Sequence, residues 1–539
     1  MTKLLSILLL AALAAGATFA DDVERDAMGL PLSKDPITLD MVRLSWPGVR
    51  GPASDTWTWQ RFAELSNITV NFEEWPISGF AETLQVRLAA EQLPDAFYQM
   101  IFNQDQLVSH SLAGNLIALD DLIAEHGPNV QAAFAADPSI EQALLMPDGK
   151  IHSLPYVAYK KNSAMVRFYV NETYLNNLGL EVPRTIDDLS DVLAAFKNDD
   201  ANGNGDADDE YPIHQSGNAT LIQRQAFFGA YGLGNRGLPG LGAHIDQGPD
   251  GTVRFIPTDE RYREMLAQLN EWWEAGYYHP EFFSGVDVAR WQADAADNRI
   301  GLFTWVTPGY VGVEPQKHFT GVSQFVGPHG DHVISWVDHN VRGNWSFMIT
   351  RENEHPVETM RWVDYWYGEP GYLFTAVGLE GETFQMGADG TYEFIGDVAA
   401  SIAEHGLQVG AFQHLERWYG GFEPQVDGLT LSEDGQKILD DLTASTPDEE
   451  VYRMDPTDYL NHMPDAIWPN FMPTAEEASE LGALLTDINT YVGEMMTKFI
   501  TGDADLSAEW DDYVNTLKSM GSERYVEIKQ AQHDRIIGM

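Results

Sequence analysis

Short runs in which apolar and polar positions alternate are followed, several times in the first half of the chain, by runs in which apolar residues recur every three or four positions. ITLDMVRLSW (37–46) and NITVNFEEW (67–75) read as strands, by alternation and by β-branched and aromatic content, and WTWQRFAELSN (57–67) between them has the helical period. GFAETLQVRLAAEQLPDAFYQM (79–100) continues as a helix, a Pro-Asp stop and a third strand. A β-loop-α-β-α-β order implies parallel pairing with helices on the sheet faces. The alternation returns with MVRFYVN (165–171), TIDDLSDVLAAFKN (185–198) and GLFTWV (301–306), as strand, helix and strand, and Thr185 with Asp188 three residues on predicts a capping box. Two α/β lobes, each with a mostly parallel sheet, follow from this pattern. The last eighty residues carry helical spacing with little strand signal, in 476–502 and 508–535, and predict helices packed on one lobe.

Length agrees with two lobes, since 539 residues with 44% hydrophobic content exceed what one core usually gathers. The first twenty residues, MTKLLSILLLAALAAGATFA, combine one Lys, a Leu/Ala core and a small-residue end at Ala20, the pattern of a cleaved secretory signal. No other stretch approaches the roughly 18 to 20 apolar residues of a membrane span. Without Cys there is no acylation site and no disulfide, so the expected location is the periplasm of a double-membraned bacterium, free rather than tethered as a lipoprotein. A formal charge of −50 makes nucleic acid and anionic membrane poor partners, because both reward Lys and Arg. It suits a surface in salty surroundings, where screening weakens self-repulsion.

The runs PDGKIHSLP (147–155), 168–212, GYYHPEFFS (276–284), GLEGETFQ (378–385) and 498–528 together resemble the extracellular solute-binding proteins of ABC importers, most closely the branch with the alginate-binding and LipO-like oligosaccharide-binding proteins. The resemblance implies the α/β, two-lobed periplasmic-binding-protein fold with discontinuous lobes, a hinge and extra C-terminal helices. It also implies a monomeric, non-catalytic receptor that captures an oligosaccharide between its lobes and delivers it to a membrane ABC permease. By analogy with sugar receptors, the crossings are expected near 158–164, 338–345 and 374–382. The first lobe would then hold 21–160 and 343–376, and the second 161–342 and 377–539.

DANGNGDADDEYP (200–212) has the spacing of a calcium loop. Asp200, Asn202 and Asn204 alternate, Gly205 is sixth, Asp206 is seventh with its carbonyl as ligand, and Asp208 is ninth. A helix-loop-helix calcium hand would place Glu at the twelfth position, where this chain has Tyr211. The resembling family ends its loop in an acidic pair at the ninth and tenth positions, which Asp208 and Asp209 match. Glu210 is then additional, and whether Asp209 or Glu210 closes the site stays open. The alternative is a solvated Asn-Gly turn, which leaves the crowding of carboxylates unexplained.

Fifteen Trp and 21 Tyr are a heavy aromatic load, and several fall where strands end, as the ligand-facing loops of doubly wound sheets do. Trp57, Trp59, Trp75, Trp291, Trp305, Trp345 and Trp418 are candidate platforms for sugar rings, with polar help from Asp55, Asn103 and Arg342; each Trp taken singly is equally at home in a core. Arg167, Arg290 and Arg342 could clamp a uronate carboxylate or simply pair with neighbouring Asp or Glu. G-x-S-x-G, P-loop and H-E-x-x-H patterns are absent, and His332 and His339 beside Trp336 read as a polar loop. A secreted polysaccharide-degrading enzyme and a receptor for a non-sugar solute such as a peptide are the alternative functions.

Overall fold

The computed structural model describes residues 23–45, 52–76, 79–99, 102, 104–158, 167–217, 224–235, 244–248, 250–305, 308–312, 314–322, 324–335, 337, 339, 341–405, 410–411, 414–415, 424–427, 429–444, 461–464, 467–468 and 472–537. The expected signal sequence, Asn103, Trp336 and Trp418 lie outside the described residues, as do the side chains of Arg342 and Trp345. The chain divides into two compact units. The first comprises Met1–Tyr159, Asn340–Thr446 and Met472–Ala475; the second comprises Lys160–His339, Pro447–Phe471 and Glu476–Met539.

The first unit contains β1 (Ile37–Ser45), β2 (Ile68–Pro76), β3 (Ala96–Tyr98) and β4 (Leu154–Ala158). The second adds β5 (Arg167–Asn171), β6 (Tyr211–Ile213), β7 (Ile245–Gln247), β8 (Val253–Phe255), β9 (Ile300–Trp305) and β10 (Phe319–Val322). The chain then supplies β11 (Val341–Ile349), β12 (Phe384–Met386), β13 (Tyr392–Phe394) and β14 (Val426–Asp427) to the first unit.

In the first unit the sheet order is β14-β4-β11-β3-β1-β2. β1 pairs with β2 and β3 in parallel, as the βαβ pattern requires, while β11 runs antiparallel to both β3 and β4. The helix Trp57–Ser66 closes the first crossover and ends at Asn67, whose φ of 60° is the left-handed cap that lets β2 turn back. Its core joins Leu39, Met41, Phe62, Ile68, Phe347, Trp362 and Trp366.

In the second unit the order is β10-β5-β9-β6, and here the expectation of a mostly parallel sheet fails. Only β6 and β9 are parallel, and β5 runs against both neighbours. Arg167, at the start of β5, lies opposite Trp305, at the end of β9, so β5 begins at the edge where β9 finishes. The helix Ile186–Asn198 carries the predicted capping box: Asp188 N–H donates to Thr185 Oγ1 at 2.9 Å, and Thr185 N–H to Asp188 Oδ2 at 3.0 Å. The C-terminal helices Ala475–Thr501, Leu506–Ser519 and Ser522–Ile537 bury Ile488, Val492, Phe499, Trp510, Tyr513 and Tyr525 in this unit's core. What read as one run from 508 to 535 is two helices, because Gly521 has a φ of 98° that ends helical winding.

Residues 377–446 were expected in the second lobe and belong to the first unit. Two contacts explain the correction. Val377, Phe384, Ile438 and Leu442 form one cluster with Leu373, and Val426 of β14 pairs with Val157 of β4. The later passage between units therefore falls at 446–447, not at 374–382, and the chain returns briefly at Met472–Ala475.

Candidate functional site

Each unit presents a sheet edge at which strands end. In the first unit, β1, β2 and β3 finish together and bring Arg43, Glu74 and Gln99 to one place. Arg43 is fully buried, donates from Nη2 to Gln99 Oε1 at 2.8 Å, and has its guanidinium 5.2 Å from the Phe72 ring and 5.4 Å from that of Tyr98. Gln99 holds a φ of 54°, left-handed backbone in a residue with a side chain, which costs free energy and is found most often at functional edges. Glu74 accepts from Ala53 N–H at 2.8 Å and so fixes the turn Ala53–Asp55 that leads into Trp57. Asp55 is exposed, and Trp57 is half-buried with its ring stacked 5.1 Å from Phe374. Arg43 was not singled out from the sequence; the signal was a cation within an apolar strand of a chain poor in cations.

Trp59 is corrected from platform to core. It is 7% exposed and enclosed by Phe72, Tyr98, Trp362 and Trp366, all with ring centroids within 5.7 Å. Trp291, 1% exposed and edge-on to Phe303 at 5.4 Å, is corrected in the same way. Trp75 is buried as well, with Nε1 donating to Glu73 at 3.0 Å. Arg290 is held by Asp294 at 3.0 Å, the ion-pair alternative to a uronate clamp. Trp305 remains half-buried at the end of β9, edge-on to Tyr310 at 4.9 Å.

The loop after the helix Ile186–Asn198 folds onto its own side chains. Asp200 accepts from the N–H groups of Gly203, Asn204 and Gly205 at 2.8–3.0 Å, and Asn202 and Asn204 accept from Asn204 N–H and Asp206 N–H. Gly203 and Gly205 have φ of 78° and 97°, which allows so tight a wrap. The amides of Asn202 and Asn204 each donate to Asp209 at 3.0 Å, and Arg299 Nε lies 3.3 Å from the same carboxylate. The Asp206 side chain accepts from Asp208 N–H at 3.2 Å. Glu210 turns the other way: it is 3% exposed, accepts from Asn202 N–H at 3.1 Å, and its Oε2 has no partner. Burial pushes its carboxyl up from the ordinary value. Asp200, Asn202, Asn204 and Asp209 thus converge, a hard-oxygen donor set of the kind Ca²⁺ takes, and a half-turn of each amide would present oxygen in place of the nitrogens now on Asp209.

Tertiary folding also assembles a cluster invisible in the sequence. His214, His279 and Asp294 are all buried, with one potential ligand atom from each lying within 4.8 Å of the others. The arrangement does not fit a metal ion. The imidazoles are stacked, with centroids 4.1 Å apart and planes 10° from parallel, so their in-plane lone pairs cannot meet at one point. His279 Nδ1 already accepts from Glu281 N–H at 3.0 Å, and Asp294 already holds Arg290. Burial, with the neighbouring His279, pushes the His214 imidazole down to about 3 from an ordinary 6.5, and burial also lowers His279. The depressed folded values mean stability is present above about pH 6.5 and is lost as pH falls toward the folded value. Urea melts of the second unit's signal at pH 7 and 4.5 should show this loss, and His214→Phe should shrink the difference; an unchanged difference would refute the assignment. His332, read as part of a polar loop with His339, has its ring 3.6 Å from that of His462 and its Nε2 bonded to Gln324 O.

No family model matches the chain. It is 26% identical over 500 residues to the fructooligosaccharide ABC transporter substrate-binding protein FusA of Streptococcus pneumoniae serotype 4, spanning 88% of this chain and 86% of that protein. It is 23% identical over 387 residues to lipoprotein LipO of Bacillus subtilis, 65% of each chain. The structure superposes on FusA in complex with kestose with a TM-score of 0.74 at 22% identity, covering 93% of this chain and all of the other. An EF-hand mutant of FusA in complex with fructo-nystose is similar at 0.75. Alginate-binding protein AlgQ2, solved without calcium ion, superposes at 0.69 with 19% identity, covering 93% of this chain and 99% of the other. The fold is therefore that of the solute-binding proteins, and the chain's homologues and structural neighbours are substrate-binding proteins of ABC transporters.

Proposed function

We propose that the chain is an exported receptor that captures an oligosaccharide reversibly and hands it to an ABC permease, without a bond-making step of its own. The observation that carries the reading is the pair of strand-end edges, each with an aromatic ring left partly open: Trp57 beside exposed Asp55 in the first unit, and Trp305 in the second. A pyranose or furanose ring has an apolar C–H face that stacks on indole and a hydroxyl rim that bonds carboxylate and amide. FusA and AlgQ2 support the class, and the sugars they are named with define the probes. Free periplasmic residence belongs to the same proposal, supported by the absence of Cys from the sequence; among the described residues no helix is long and apolar enough to cross a membrane.

A calcium ion in the 200–209 loop is the second part of this reading. Asp200, Asn202, Asn204, the Asp206 carbonyl, Asp208 and Asp209 would hold it, with Asp209 rather than Glu210 closing the cage. Asp209 already faces the two amides, whereas Glu210 is turned into the protein. The ion's part is structural, joining helix, loop and β6.

A titration of kestose, nystose and alginate fragments by calorimetry tests the main reading. Trp57→Ala and Trp305→Ala should each weaken the best ligand by about 1–3 kcal/mol, the scale of uncovering one large apolar side chain. If both variants bind as tightly as wild type, these edges are not the ligand surface.

A further inference from the structure

Asn-Gly is the dipeptide most open to spontaneous cyclisation, because glycine has no Cβ to shield its backbone nitrogen from the preceding carboxamide. In this chain it occurs twice, at Asn202-Gly203 and Asn204-Gly205, both in the loop that follows the helix Ile186–Asn198. Asn202 is half-buried, and Gly203, Asn204 and Gly205 are exposed. Water therefore reaches both pairs.

The loop holds every reacting atom. The Gly203 nitrogen donates to Asp200 Oδ1 at 2.9 Å, and the Gly205 nitrogen to Asp200 Oδ2 at 2.8 Å. Each carboxamide is tied at both ends. Asn202 accepts from Asn204 N–H at 2.9 Å and donates to Asp209 Oδ1 at 3.0 Å, while Asn204 accepts from Asp206 N–H at 2.8 Å and donates to Asp209 Oδ2 at 3.0 Å. One acid thus holds both nucleophiles, and another holds both leaving groups. The Asp200 bonds do not depend on which way the two amides are turned.

Reaction requires a Gly nitrogen to lose its proton and attack the Asn Cγ. A C–N bond forms, the Cγ–Nδ2 bond breaks, and ammonia departs with that proton. Water then opens the cyclic imide at either carbonyl, leaving Asp or, with the chain rerouted through the side chain, isoaspartate. An N–H bonded to a carboxylate resists the first step, since negative charge on nitrogen would face the negative charge of Asp200.

We infer that Asn202 and Asn204 are latent deamidation sites guarded by Asp200, so that this loop keeps an irreversible mark of having been opened. While it stays wrapped, both remain amides. Once it opens, either one converts, and the product does not wrap as before: a donor to Asp209 becomes an acceptor, or the turn gains a methylene. Neither the sugar nor the cation of the preceding section enters the reaction.

The test incubates the full chain at neutral pH as folded wild type, as Asp200→Ala and Asp200→Asn, and as wild type unfolded in urea. Peptide mass spectrometry follows amide-to-acid conversion at each Asn, and melting curves taken first show which variants are folded. Expected is conversion at Asn202 and Asn204 at least tenfold slower in folded than in unfolded wild type. Folded Asp200→Ala should convert at least fivefold faster than folded wild type, with Asp200→Asn between them, since it keeps an acceptor without the charge. Wild type refolded after conversion should melt below wild type refolded at once. Folded wild type that converts as fast as the unfolded chain overturns the inference, as does a folded Asp200→Ala chain that converts no faster than wild type. Equal melting of converted and unconverted chains overturns the irreversible mark. Should the variants not fold, the comparison of folded with unfolded wild type decides alone.

Discussion

Chelation of divalent cations should lower the melting temperature of the second unit by on the order of 10 °C, and Asp200→Ala should abolish the sensitivity. A cation that binds only the folded state stabilises it by about 4 kcal/mol when present at about a thousandfold its Kd, and each kcal/mol moves the transition of a unit this size by roughly 2–4 °C. The loop is placed to transmit that stabilisation. Asn177 Nδ2, in the helix Glu172–Leu178, donates to Ala201 O at 2.9 Å, and Tyr211 N–H donates to Arg299 O at 2.8 Å where β6 begins. Asp209→Asn should weaken the response to chelator, while Glu210→Gln should keep it, because Glu210 lies on the buried side of the loop. Calorimetric melts with and without chelator decide the matter: an unmoved wild-type transition would refute the cation, and loss of sensitivity only in Glu210→Gln would reverse the roles of the two acids.

Arg254→Ala should destabilise the second unit by about 3 kcal/mol, at the low end for a buried ion pair because a fifth of the guanidinium side chain remains exposed. Asp246 and Arg254 face each other across the β7–β8 hairpin. Asp246 is fully buried and accepts from Arg254 Nε at 2.7 Å and from Gly234 N–H at 2.8 Å, while Arg254 also donates to Gly232 O and to Asp259. Asp259 in turn caps the helix Glu260–Glu274 through Arg261 N–H at 2.8 Å. Removing the guanidinium leaves a carboxylate in the core with one donor. Asp246→Asn in the same background should recover part of the loss, since it removes the stranded charge. Denaturant melts giving a cost under about 1 kcal/mol for Arg254→Ala would show that the pair contributes nothing beyond a surface contact.

Much of the architecture was legible wherever the information is local. The alternation of 37–46 and 67–75 around a helical run specifies parallel strands with a crossover, and these pair from Ile37↔Ile68 to Ser45↔Pro76. Thr185 and Asp188 specify their own cap, and the donors of the 200–209 loop sit within ten residues, so spacing alone brings them to one turn.

Other features depend on which distant segments meet. Trp57 and Trp59 are two positions apart and equally aromatic, yet Trp59 is enclosed by rings from residues 362 and 366 while Trp57 is left half-open. Periodicity states that a helix has a buried face; it does not state how far a neighbouring helix covers it. The assignment of 377–446 to the first unit turns on Val426 meeting Val157, and the sense of β5 turns on where β9 ends. The stacked His214 and His279 and the Arg43–Gln99 bond likewise arise between residues far apart in sequence, from side chains whose type alone carries no sign of it. Elements and the turn at 200–209 were thus determined by sequence because their contacts close within a few residues. Which rings stay partly open at the strand ends was decided by tertiary packing, because exposure of an aromatic ring is a property of what covers it.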